Sequence, residues 1–168
     1  MPTVLPGIST NLAAFLAMIK FSEGTSTSPA TKMDGYDVIV TGIDRVPEIF
    51  TDFSNHPFDS GRKSKVINSK GLTSNASGAY QFMKKDWRYY RALLKLPDFS
   101  PKSQDIWAIQ LIRERGALPD IEAGRFVMAV RKCRNIWASL PGAGYGQPEH
   151  RIEKLVQAYA DAGGKVLV

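Results

Sequence analysis

Leu12, Phe15, Leu16 and Ile19 recur at the i, i+3, i+4, i+7 spacing of one helical face, which predicts an amphipathic helix near the start of the chain. Thr10 or Asn11 can cap its beginning and Gly24 can end it. The next position on that face, four beyond Ile19, is Glu23. The pattern therefore puts a carboxylate at the C-terminal end of a helix, on its inward side. From Tyr36 to about Phe53 the helical period disappears. Tyr36–Val40 and Ile49–Phe53 read as short strands, with Thr41-Gly42 starting the connection. Residues 56–75 are polar, contain Pro57, Gly61 and Gly71, and predict a long surface loop of the kind that often carries function.

Helical patterns then dominate. Met83, Trp87, Tyr90 and Leu94 mark one helix ahead of Pro97. Ser100-Pro101 pairs an N-cap serine with proline at the first helical position and opens a second, which runs through Ile109 and Ile112 to Gly116. Phe126, Val130 and Cys133 predict a third, and residues 140–146 a loop. Pro148 is expected to open a last helix with Ile152, Leu155, Val156 and Tyr159 inward, closed by Gly163-Gly164. The sum is an α+β fold, mostly helical, with a small β region near the N-terminus.

The 168 residues contain no internal repeat and no low-complexity linker, so residues 1–168 are expected to form a single domain. A net charge of +6 is compatible with an ordinary soluble basic protein and with attraction to a polyanion. The basic residues are spread along the chain with no run of five or six, which argues against nucleic-acid binding. Residues 1–10 lack a positive n-region, and Lys20 and Glu23 interrupt the short apolar stretch Leu12–Ile19. Neither a secretory signal nor stable membrane insertion is expected. Cys133, the one cysteine, cannot form an internal disulfide. It reads as a small buried helix residue, or as a thiol needing His56 or His150 as partner. His150 and Glu153 are one turn apart, but no H-E-x-x-H and no cysteine pair accompanies them, so no metal and no cofactor is expected.

Glu23 leads the residues that could carry chemistry. Burial and the negative end of a helix dipole both raise a carboxyl pKa. A carboxylic acid kept protonated near neutral pH can protonate a leaving glycosidic oxygen. An exposed glutamate at a frayed helix end is the plainer reading. Glycosidases commonly use a second carboxylate, and Asp34, Asp37, Asp44 and Asp52 all fall in or near the β region; turn or capping roles would equally explain each. Ser77-Gly78-Ala79-Tyr80-Gln81-Phe82 joins a glycine to aromatic and amide groups. This suits a sugar-binding wall, or a capped helix start with core aromatics. The glycine-rich residues 140–147 lack the phosphate-cradling GxxxxGK[ST] pattern and read as a mobile lip or an inert turn.

Together these residues form a recognisable set. Phe21-Ser22-Glu23-Gly24-Thr25, Gly35-Tyr36-Asp37-Val38-Ile39-Val40 and Phe50-Thr51-Asp52-Phe53-Ser54-Asn55-His56-Pro57 come first. Ser77-Gly78-Ala79-Tyr80-Gln81, Asp98-Phe99-Ser100-Pro101-Lys102-Ser103-Gln104-Asp105 and Glu114-Arg115-Gly116-Ala117-Leu118-Pro119 follow. The run Asn135-Ile136-Trp137-Ala138-Ser139-Leu140-Pro141-Gly142-Ala143-Gly144-Tyr145-Gly146-Gln147 closes the set. From about Phe15 to Gly164 the chain resembles the lambda-type lytic transglycosylases, a lysozyme-like family of phage endolysins.

The resemblance implies a lysozyme-like fold with a saccharide cleft between two lobes. It implies cleavage of the β-1,4 bond between N-acetylmuramic acid and N-acetylglucosamine without water. The muramic acid C6 hydroxyl attacks C1 and leaves a 1,6-anhydro end. One glutamate, matching Glu23, serves as acid and then base. Asp37, Tyr80, Gln81, Tyr145 and Gln147 match positions expected to bind substrate, and the loops near 57–72 and 140–147 match two flexible lips. Segment 41–49 looks longer than the family pattern, and loop 58–74 differs in residues. The expected partner is the peptidoglycan glycan strand and the expected state is monomeric. The resemblance also implies accumulation in the host cytoplasm until a phage holin opens the way to the periplasm. Two other readings stay open. One is a hydrolytic muramidase on the same fold, with Asp37 or Asp52 assisting a water; the other is a wall-binding module without catalysis.

Overall fold

The computed structural model describes residues 5–144 and 149–167. Six α-helices and four two-residue strands occur among them, an α+β architecture dominated by helix. The described residues divide into two compact units, one of residues 24–107, the other of residues 5–23, 108–144 and 149–167.

The unit formed by residues 24–107 holds the strands. Strand β1 (Val38–Ile39) pairs antiparallel with β2 (Glu48–Ile49), with Val38 opposite Ile49. Strand β3 (Lys65–Val66) pairs antiparallel with β4 (Thr73–Ser74), with Lys65 opposite Ser74. The β1–β2 ladder is shorter than the alternation of Tyr36–Val40 and Ile49–Phe53 predicts, and the β3–β4 hairpin lies inside the segment expected to be loop. Helix α2 (Lys84–Leu94) follows, with Trp87 as its one buried residue and Lys95 in the left-handed region as its C-cap. An aromatic cluster fills the interior. Phe82 stacks on Trp107 at 3.9 Å between ring centroids, and Trp87 meets Phe99 edge-on at 5.2 Å. His56 is buried in this cluster. Its Nε2 donates to the Phe82 carbonyl at 2.9 Å and its Nδ1 accepts from the Phe58 amide at 3.2 Å, which fixes a neutral ring. Burial pushes its pKa below the usual histidine value. His56 is thus a packing residue, not a partner for a thiol.

Helix α3 (Pro101–Glu114) begins in this unit and ends in the other, the chain crossing between Trp107 and Ala108. The second unit also contains α1 (Thr10–Ser22), α4 (Leu118–Glu122), α5 (Phe126–Cys133) and α6 (Ile152–Asp161). Helix α1 is capped one residue earlier than expected, by Ser9, whose hydroxyl accepts from Leu12 N at 3.0 Å. It is buried on more than its predicted stripe, since Ala14, Met18, Lys20 and Ser22 are covered as well. A helix covered nearly all round is a core helix. Phe126 of α5 packs against Phe15 of α1 and Tyr159 of α6, with centroids 6.0 and 4.6 Å apart. Helix α4 was not visible in the apolar pattern because it is a single turn with two buried residues, Asp120 and Ile121. The Asp120 carboxylate accepts from Arg125 at 2.8 Å and Lys132 at 2.6 Å, tying α4 to α5. Leu155 and Tyr159 are the buried residues of α6. Pro148, expected to open that helix, lies outside the described residues. Cys133 is buried on α5, and burial pushes its thiol up to about 12.

Candidate active site

Helix α1 stops because Gly24 takes φ +73°, a left-handed conformation that favours glycine and ends helices. Glu23 is the C-cap, its N–H bonded to the Ile19 carbonyl at 2.8 Å. Its side chain keeps a partial opening to solvent. Burial nevertheless raises the carboxyl pKa from its ordinary 4.5 to about 7, and a hydrogen bond from Ser139 pulls against that rise. At neutral pH a large share of Glu23 is therefore the neutral acid.

The surroundings of Glu23 are tied together by Ser139 and His150, two residues distant in sequence. The Ser139 hydroxyl lies 2.8 Å from that of Ser22. The His150 amide donates to the Ser139 carbonyl at 3.0 Å. The His150 ring places Nε2 2.9 Å from the Ser22 carbonyl, and a carbonyl only accepts, so Nε2 carries a proton. Phe21 packs on the same ring at 5.5 Å. The neighbouring Glu149 carboxylate accepts the amides of Gly142 and Gly144 at 2.9 and 3.0 Å, bonds that hold it below the usual carboxylate range.

In the other unit, Ser77–Phe82 closes as a tight turn and not as a helix start. Ser77 and Phe82 exchange backbone bonds of 3.0 and 2.8 Å. Gln81 sits at φ +53° within this turn. Its side-chain nitrogen donates to the Gly78 carbonyl at 3.0 Å and the residue is half-buried. Gln104 holds the turn from beneath. Its oxygen accepts the Ala79 amide at 2.9 Å, and its nitrogen donates to the Tyr36 and Phe99 carbonyls at 3.1 and 2.9 Å.

Two of the expected substrate residues, Tyr80 and Asp37, are buried. Tyr80 is wholly buried, and its hydroxyl donates to Asp105 at 2.5 Å; Tyr36 donates to the same oxygen at 2.8 Å. These bonds give the Tyr80 side chain a supporting place beneath the turn. Asp37 is 2% exposed, with one oxygen accepting from Thr31 Oγ1 at 2.5 Å and the other from Lys32 N at 3.0 Å. It is a loop anchor. Tyr145 and Gln147 lie outside the described residues.

The other aspartates have local partners too. Asp44 accepts from Val46 N at 3.1 Å and Asp52 from Ser54 N at 2.9 Å, both turns closed by the aspartate side chain. Asp34 sits at φ +52° in a turn. Among the described residues no group of three or more His, Cys, Asp or Glu side chains could hold a metal ion. Ser22, Ser139 and Gln104 were not singled out by sequence reasoning, and His150 was weighed only as a thiol partner or metal ligand. Ser22, Ser139 and Gln104 lie inside the quoted motifs, but 117 residues separate Ser22 from Ser139, and no local pattern reports such a contact.

Residues 13–166 match the endolysin family over nearly the whole chain. The chain belongs to the endolysin family. Among its relatives, the endolysin of Escherichia phage P2 is 62% identical over 162 residues, covering 95% of this chain and 98% of that protein. The endolysin of Escherichia phage lambda is 49% identical over 160 residues, covering 95% of each. In structure, bacteriophage lambda lysozyme complexed with a chitohexasaccharide superposes with a TM-score of 0.87 at 48% identity, covering 97% of this chain and all of that one. A second structure of the bacteriophage lambda lysozyme gives 0.83 at 47% identity with the same coverage. This family member therefore has the lysozyme-like α+β fold.

Proposed function

We propose that this endolysin, a peptidoglycan-degrading enzyme by its family, cleaves glycan strands as a lytic transglycosylase with Glu23 as its single acid and base. The observation that carries the reading is a carboxyl at a helix end, shielded enough by burial that about half of it is the neutral acid at pH 7. In this reading the Glu23 acid gives its proton to the glycosidic oxygen as the bond to C1 of N-acetylmuramic acid breaks. The resulting carboxylate takes the proton of the C6 hydroxyl as that oxygen bonds to C1. Glu23 ends protonated, the muramic acid ends as a 1,6-anhydro sugar, and no water is consumed.

The alternative, hydrolysis, needs a base for a water on the second step or an ionised partner. Asp37, Asp44 and Asp52 each hold a local turn or loop together, which favours the reading without water. The six-sugar chitooligosaccharide bound to lambda lysozyme supports a β-1,4-linked amino-sugar strand as the substrate class. Holin-dependent passage from the host cytoplasm to the wall and action as a monomer belong to the same proposal, by family likeness. Mass spectrometry of digested peptidoglycan tests the chemistry. Anhydro-muramic acid ends are expected, and reducing muramic acid ends without them would overturn it.

A further inference from the structure

Glu23 is the last residue before a glycine, at the point where helical hydrogen bonding stops. Backbone alone would leave a side chain there free to choose among rotamers. Its hydroxyl partner, Ser139, is held by two further bonds. The Ser139 backbone is gripped by the His150 amide and its side chain meets the Ser22 hydroxyl at 2.8 Å. His150 is itself fixed to the Ser22 carbonyl and packed on Phe21. One residue thus clips the end of α1 and the Ser139 segment to each other, on both the ring and the backbone.

We propose that Ser139 is a positioning residue for Glu23: held by Ser22 and by the two-point grip of His150, its hydroxyl fixes the carboxyl in one rotamer and occupies one of its two oxygens. This inference rests on Glu23 being the acid. A hydroxyl donating to one carboxyl oxygen leaves the acid proton on the other, the oxygen available to a leaving group. It also supports the ionised state that follows proton donation, because Ser139 can go on donating while accepting from Ser22. The chain of donation Ser22 to Ser139 to Glu23 is satisfied in both protonation states, so the carboxyl need not turn between its two uses.

Replacing Ser139 tests this through two independent readouts. The first is NMR titration of the Glu23 carboxyl carbon, which needs no substrate. A hydrogen bond to a charged group supports raising the titration midpoint by about one pH unit in Ser139→Ala, since the lost bond favours the carboxylate. Ser139→Thr, which keeps the hydroxyl, should titrate as the parent does. Ser22→Ala should move the midpoint the same way by less. The second readout is turnover of purified peptidoglycan. Ser139→Ala should lower kcat about tenfold with KM little changed, with the alkaline limb of its pH profile displaced upward. A folded Ser139→Ala with the parent midpoint and parent kcat would overturn the proposal. If instead Glu23→Gln still cleaves, the assignment of the acid fails, while the titration result continues to judge the Ser139 contact. Should Ser139→Ala fail to fold, Ser22→Ala and Ser139→Thr decide: equal midpoints in parent and Ser22→Ala would count against the hydroxyl chain.

Discussion

The imidazole of His150 reaches the carbonyl of Ser22 at 2.9 Å across 128 residues of chain. That single contact joins the end of the first helix to the segment following the glycine-rich loop. It explains why the acid candidate, encoded near the start of the chain, depends on residues encoded near its end.

Activity should follow the protonated fraction of Glu23. A carboxyl with a pKa of about 7 is still largely acid at pH 6 and mostly ionised at pH 8. Turnover limited by proton donation should fall by about tenfold per pH unit above that midpoint. Glu23→Gln should lower kcat by about 10²–10⁴-fold with the fold intact, measured by turbidity loss of purified wall and checked by circular dichroism.

The same group has a signature in stability. The folded state binds the Glu23 proton more tightly than the unfolded state, whose carboxyl titrates near 4.5. Its favourable share is therefore complete below about 4.5 and is lost as pH rises to about 7, leaving a buried charge at pH 8. Glu23→Gln should raise the melting temperature at pH 8 and change it little at pH 4. The gain is on the order of 1–3 kcal/mol, toward the lower end because the side chain keeps some solvent. Equal melting temperatures of parent and variant at pH 8 would argue against a desolvated carboxyl.

Tyr80→Phe separates a supporting role from a sugar-binding one. It removes a buried hydroxyl bonded to Asp105 and leaves the ring in place. Denaturant unfolding should show a loss of about 1–3 kcal/mol. KM for glycan strands should stay at the parent value, whereas a rise with unchanged stability would restore Tyr80 to the substrate surface.

Gly78→Ala should be among the costlier single changes in the β-containing unit. Gly78 holds φ +82°, and an added Cβ would overlap the Gln104 amide that fixes the turn. A loss of about 2–4 kcal/mol is expected from left-handed strain together with displacement of Gln104. Ala at Gly61, also at positive φ but with open space around it, should cost less, about 1–2 kcal/mol, in the same thermal scan.

Cys133 should behave as a core residue. Its thiol is buried and held near 12 by that burial, so thiolate is scarce at neutral pH. Ellman's reagent should react slowly with the native protein and fully in denaturant. Rapid native labelling would show that α5 opens readily.

Much of the helical half of the fold could be read along the chain. The apolar spacing through Ile19, the Ser100-Pro101 start and the Phe126–Cys133 repeat each rest on interactions within one or two turns, and each appears as helix. The position of Glu23 was legible for the same reason. It follows from counting four residues past Ile19 and from a glycine that stops the helix.

What needed the tertiary structure was every property set by contacts distant in sequence. The strands shrink to two residues because pairing, not alternation, fixes their length, and a second hairpin forms where polarity alone predicts loop. Tyr80 and Asp37 carry groups that suit a sugar site, yet their burial against Asp105 and Thr31 makes them supports. The sequence by itself determined that a carboxylate ends the first helix. Only the assembled structure decided that this carboxylate is desolvated and bonded by Ser139, because desolvation and hydrogen bonding are properties of neighbours in space.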